Sequence, residues 1–228
     1  MSKWSYIQKI RVREMNKEKQ IQLTKEFVHK QLKNDSSGHD WWHIFRVTEM
    51  AKRIAEHEQA DLFICEMSAL LHDIADEKLN DSEAEGLEKV GAWLYAIDLD
   101  EKSVGAILDI ISTMSYKGGG QPAMETLEGQ IVQDADRLDA IGAIGIARTF
   151  AYAGAKGDII YDPSIAPREQ MTKEEYRNGK STAINHFYEK LLKLKQLMNT
   201  DYAKAIAEER HSFMESYLQM FIKEWQGK

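Results

Sequence analysis

Two adjacent residues, His72 and Asp73, close an otherwise apolar run of Cys65, Met67, Ala69, Leu70 and Leu71. An imidazole or a carboxylate buried alone in such surroundings is costly, and something must compensate it. A divalent cation does so, because neutral imidazole and carboxylate are its ordinary ligands. Two residues do not hold an ion, so further ligands must come from other elements. His43 shares a helical face with Val47 and Met50, and Asp134 falls on the stripe of Leu127, Ile131, Leu138, Ile141 and Gly145. A structural alternative stays open for Asp134, pairing with a buried arginine or capping a neighbouring helix. Asp136 and Asp139 lie off the stripe, where solvated charge is expected. Two His and two Asp suit Mn²⁺, Fe²⁺, Co²⁺, Ni²⁺ or Zn²⁺, and the lack of thiolates argues against a structural zinc. Four protein ligands on an ion that accepts six leave two places for water and a substrate oxygen, which is the condition for catalysis.

The elements that must position these residues read as helices throughout. Ala, Leu, Glu, Lys and Met fill the long segments, while the three prolines, Pro122, Pro163 and Pro167, fall in two loops, so the fold class is all-α. Apolar spacing predicts helices over Met1 to Lys33, from Asp40 onward, from an Asp61 cap to Ala75, after the capping box Ser82 to Glu85, and over Ser103 to Met114. It predicts a longest helix over Thr126 to Ala153, another from the capping box at Thr172 to Asn199, and a closing one over Asp201 to Trp225 with Ile206, Phe213, Tyr217 and Phe221 inward. Ligands on separate helices converge only inside a bundle.

The chain has 228 residues and a net charge of −7. No Pro/Ser-rich linker divides it, which favours one domain over 1–228. One cysteine, Cys65, excludes an internal disulfide framework. Met1 to Gln22 is charged and lacks an apolar h-region, and no run is apolar enough to span a membrane, so a cytoplasmic protein is expected. The negative balance argues against polymeric nucleic acid as a partner and leaves room for a small anionic substrate.

His43, then His72-Asp73, then Asp134 within Gln133-Asp134-Ala135-Asp136-Arg137-Leu138-Asp139 resembles the H…HD…D signature of the HD-domain metal-dependent phosphohydrolase superfamily. Leu71 to Asp76 and Gln133 to Arg148 are particularly similar to stand-alone bacterial HD proteins that resemble nucleoside triphosphate pyrophosphohydrolases. The likeness runs over 20–215. It implies an HD-domain helical bundle whose metal ligands are His43, His72, Asp73 and Asp134. Manganese is the favoured ion, ahead of cobalt, nickel, magnesium, zinc and iron. No histidine lies between Ile74 and Gln133, where relatives with two-metal centres take extra ligands, so a mononuclear site is expected. The implied reaction is hydrolysis of a nucleoside or deoxynucleoside triphosphate to monophosphate and pyrophosphate. The alternatives are a nucleotide phosphomonoesterase and a non-catalytic nucleotide sensor. Asp76, one turn beyond His72, is the expected acid/base residue, with Asp81 second. Arg46, Arg137, His186, Lys190 and His39 are the expected substrate-binding residues. Homodimer formation is compatible with the sequence.

Overall fold

The computed structural model describes residues 16–32, 40–76, 79–114, 124–168 and 181–228. Its described residues contain nine α-helices and no strand: α1 (Lys17–Gln31), α2 (Trp41–Glu58), α3 (Leu62–Leu71), α4 (Glu83–Ala96), α5 (Glu101–Thr113), α6 (Leu127–Asp139), α7 (Gly142–Lys156), α8 (Ala183–Glu189) and α9 (Asp201–Trp225). A 3-10 segment, Leu191–Leu197, precedes α9. Eight of the nine start on an Asn, Asp, Ser or Thr side chain that accepts a hydrogen bond from the first turn; α7 is the exception. These caps satisfy backbone donors that the helix itself leaves unpaired.

Helix α3 is the centre of the bundle. Residues Phe63 to Leu71 are all buried, a largely apolar set in which Glu66 is paired with Lys25 at 2.9 Å, and α1, α2, α5 and α6 pack around it. Helix α2 lies between α3 and α6, and α9 crosses α2, α6 and α7. One buried apolar cluster runs from Val28 in α1 to Leu218 in α9.

Four expectations are corrected. The third helix ends at Leu71, so His72 to Ala75 form a turn at the C-terminal end of α3. The helix expected over 126–153 breaks between α6 and α7, where Gly142 takes φ +76°, a conformation costly for any residue with a Cβ. A Cβ on Gly145 would also meet the Ala140 carbonyl oxygen at 2.2 Å, so this glycine permits the tight reversal. The described part of the helix expected over 172–199 divides at Lys190 into α8 and the 3-10 segment; its capping box at Thr172 lies outside the described residues. Phe213, expected inward, is exposed, because the neighbouring Met214 takes the core position.

Candidate metal centre

Each residue of the centre comes from an element that the bundle places around the end of α3. His43 lies in the first turn of α2, where Asp40 caps the helix by accepting from the His43 N–H at 2.8 Å. His72 and Asp73 open the turn that ends α3, and Asp136 comes from α6. One ligand atom from each of His43, His72 and Asp73 lies within 4.8 Å of the others, and all three residues are buried. His43 Nε2 is 3.4 Å from an Asp73 oxygen, and His72 Nε2 is 3.4 Å from the other. Asp136 Oδ1 approaches the same two nitrogens at 3.5 and 4.0 Å.

Hydrogen bonds on the far side of each ring fix which nitrogen faces the centre. His72 Nδ1 lies 2.8 Å from the Ala69 carbonyl oxygen, so Nδ1 carries the proton and Nε2 presents a lone pair. That Nε2 is buried and has no hydrogen-bond partner. His43 Nδ1 lies 2.7 Å from Asp139 Oδ2, which likewise turns a bare Nε2 inward. Two lone pairs and two carboxylates therefore face one another, an arrangement that needs a positive charge. A shared proton would draw an imidazole and a carboxylate to about 2.7–2.9 Å. An ion about 2.1 Å from each ligand instead spaces them by about 3.0 Å at a right angle and about 4.2 Å when opposite. The observed separations of 3.4 to 4.0 Å fall within that second range. The donor set fits a divalent cation.

Asp139 is the bracing group, and its burial corrects the expectation of a solvated charge. It is 5% exposed and accepts from His43 Nδ1, from Arg46 Nε and Nη2 at 2.6 and 3.0 Å, and from Arg148 Nη1 at 2.7 Å. Burial alone would raise its pKa. The hydrogen bonds of His43 and Arg46 and the charge of Arg148 outweigh that and hold the carboxyl well below the usual range.

Asp134 is not brought to this centre. Its carboxylate accepts from the backbone N–H groups of Asn199 and Thr200, from Asn199 Nδ2 and from Thr200 Oγ1, at 2.8 to 3.1 Å. It thus anchors the start of α9, where Thr200 is the cap, with negative charge at the positive end of a helix. Asp134 and Asp136 are two residues apart and so about 200° apart around the helix, which prevents both from facing one point.

The other expected site residues are dispersed. Asp76 follows the turn and is half-buried; its carbonyl accepts from Leu79 N and from Asn80 Nδ2, which also donates to Ile74 O at 2.8 Å. Asp81 is exposed. Arg46 is engaged on Asp139, and Arg137 donates to the Leu197 carbonyl. His186 and Lys190 belong to α8 and its end, which packs on α7 and the 3-10 segment. Burial, and then the Lys190 charge, push the His186 pKa down to about 4. His39 lies outside the described residues. Sequence reasoning set aside Asp136 and Asp139 and did not weigh Arg148. The signal lay in matched spacing, since His43 and Arg46 in α2 and Asp136 and Asp139 in α6 are both three residues apart and so share a face.

Residues 41–141 match the HD domain family. The chain is 41% identical over 215 residues to the protein YpgQ of Bacillus subtilis, covering 93% of this chain and 97% of that one. A solved structure of YpgQ is in complex with ADP; it is 40% identical with a TM-score of 0.72 and covers 90% of this chain and 97% of YpgQ. A Lactobacillus plantarum protein is similar at 45% identity and TM-score 0.81, covering 92% of this chain and 99% of its own. An HD-superfamily hydrolase from Bacillus thuringiensis is 49% identical with a TM-score of 0.76, covering 93% and 100%. The inward imidazoles, the His72-Asp73 pair at the end of a buried helix and these likenesses lead to one assignment: the chain belongs to the HD-domain superfamily of metal-dependent phosphohydrolases.

Proposed function

We propose that the protein is a nucleotide pyrophosphohydrolase, cleaving nucleoside or deoxynucleoside triphosphates between the α and β phosphates. The observation that carries the metal-dependent part is the buried, partnerless Nε2 of His72, aimed at the His43 ring and two carboxylates. We assign His43, His72, Asp73 and Asp136 as ligands of one divalent ion, manganese in the first instance. Bound there, the ion would supply Lewis acidity, drawing charge from a phosphate oxygen and acidifying water beside it. Nucleotide as the substrate class rests on the ADP complex of YpgQ.

The remaining roles fall to groups of this chain. His43 and His72 keep their lone pairs inward because Asp139 and the Ala69 carbonyl hold their other nitrogens. Arg46 and Arg148 place positive charge on Asp139, next to the ligand ring, where charge from a phosphate chain has to be balanced. Asp76 is the proposed acid/base residue, and the Asn80 amide ties down the backbone that carries it. A panel of nucleoside tri-, di- and monophosphates with Mn²⁺, Co²⁺, Ni²⁺ and Mg²⁺, read by pyrophosphate-specific and orthophosphate-specific assays, tests the reading. Pyrophosphate release that vanishes in His72→Ala is expected. Orthophosphate release from monophosphates, or full activity in the variant, overturns it.

A further inference from the structure

Beside the Asp139 hub a cleft of about 270 Å³ opens between α2, α6, α7 and α9, lined in part by Arg46, Arg53 and Arg210. None of His43, His72, Asp73 or Asp136 lines it. Its two acidic groups are already neutralised, Asp139 by Arg46 and Arg148 and Glu49 by Lys52 at 3.0 Å. Arg53 and Arg210 are not. Arg53 stands 5.7 Å over the Tyr202 ring, Arg210 donates to the Leu138 carbonyl, and neither forms an ion pair with a described carboxylate. Burial lowers the Arg210 pKa, and the charges of Asp139 and Glu209 only partly restore it. Two guanidinium groups thus share a cleft without a described carboxylate in direct ion-pair contact with either.

The rest of the lining is apolar. Phe45 and Ile144 are each nearly half exposed at its edge, Met50 lies with them, and the exposed Trp42 meets Phe45 edge to face at 5.9 Å. Flat apolar surface beside arginine without a direct carboxylate partner suits a ligand with an aromatic part and an anionic part. The volume sits just under the range of about 300–1,000 Å³ usual for ligand sites, which limits the ligand to roughly mononucleotide size.

We propose that this cleft is a second ligand site, separate from the metal centre, for a small aromatic phosphate such as a nucleoside monophosphate. Arg53 and Arg210 receive the phosphate, and Phe45 and Ile144 receive the base.

The test is AMP binding to the full chain by titration calorimetry in excess EDTA, which disables the metal centre. Saturable binding is expected, weakened about tenfold or more in Arg53→Glu and in Arg210→Gln, the loss of one charged hydrogen bond. Phe45→Ala should weaken AMP and leave inorganic phosphate unchanged. His72→Ala should bind AMP as the wild type does, so the outcome is independent of whether the metal centre hydrolyses triphosphates. Should Arg210→Gln not fold, Arg53→Glu decides alone, because that side chain is exposed. No saturable binding in EDTA, wild-type affinity in Arg53→Glu, equal affinity for AMP and inorganic phosphate, or loss of binding in His72→Ala would each overturn the proposal.

Discussion

The two aspartates Asp134 and Asp136 separate stability from metal binding, and paired alanine substitutions should divide the two properties cleanly. In Asp134→Ala the backbone N–H groups of Asn199 and Thr200 lose their acceptor at the start of α9, beside the buried Thr200. Each stranded donor costs about 1–3 kcal/mol, so the variant should lose about 3 kcal/mol. For a chain of this size that lowers the melting temperature by about 6–12 °C. Its manganese affinity, measured below the transition, should equal that of the wild type. Asp136→Ala should do the reverse. Its side chain is 40% exposed, and removing it leaves stability within about 0.5 kcal/mol when both proteins are melted in EDTA. Loss of a ligand should weaken manganese more than the 10- to 100-fold typical of an outer partner. Free Mn²⁺ counted by electron paramagnetic resonance, with calorimetric melting of the metal-free proteins, reads both quantities. Lost manganese with an unchanged melting temperature in Asp134→Ala, or wild-type affinity in Asp136→Ala, would refute the ligand assignment.

Two further outcomes follow, one from the group that braces His43 and one from a buried histidine away from the centre. Asp139→Asn removes the carboxylate that holds His43 Nδ1, and manganese affinity should fall about 10- to 100-fold by calorimetric titration, although no ligand is touched; an unchanged affinity would contradict the bracing role. His186 titrates near 4 in the fold against 6.5 when unfolded, because burial and then Lys190 disfavour its charged form. The fold binds that proton less well than the unfolded chain does, so stability is full above pH 6.5 and declines as pH falls toward 4, by at most about 3 kcal/mol. Denaturant melts of wild type and His186→Gln should therefore diverge across that window and nowhere above it.

Much of the bundle could be read from pattern alone, since caps such as Asp61 and Ser82 mark helix starts through local hydrogen bonds. The errors arose where tertiary packing overrides a single stripe. Helix α6 packs on α2, α3, α5, α7 and α9, so Asp134 on one side and Asp139 on another are both buried, and a rule that expects one apolar face singles out Asp134, whose carboxylate is engaged on the start of α9. The alternative role for Asp134, as an anchor for a neighbouring helix, is the one the structure bears out. The reversal at Gly142 was hidden for a related reason: Ala140, Gly142 and Gly145 are small enough to suggest tight helix packing, and nothing local distinguishes that from a left-handed break. His43 and the His72-Asp73 pair were legible because each is polar in an apolar run and sits near a helix end.

The clamp around Asp139 has a consequence beyond orientation. One carboxylate joins α2 through His43 and Arg46 to α6, where it resides, and to α7 through Arg148, and all of those bonds are made by the chain's own side chains. The imidazoles are therefore aimed before any metal arrives, and little ordering entropy remains to be lost when it binds. A chelator should strip this protein to an inert but upright scaffold, ready to recover on reloading, unlike a zinc finger whose architecture vanishes with its ion.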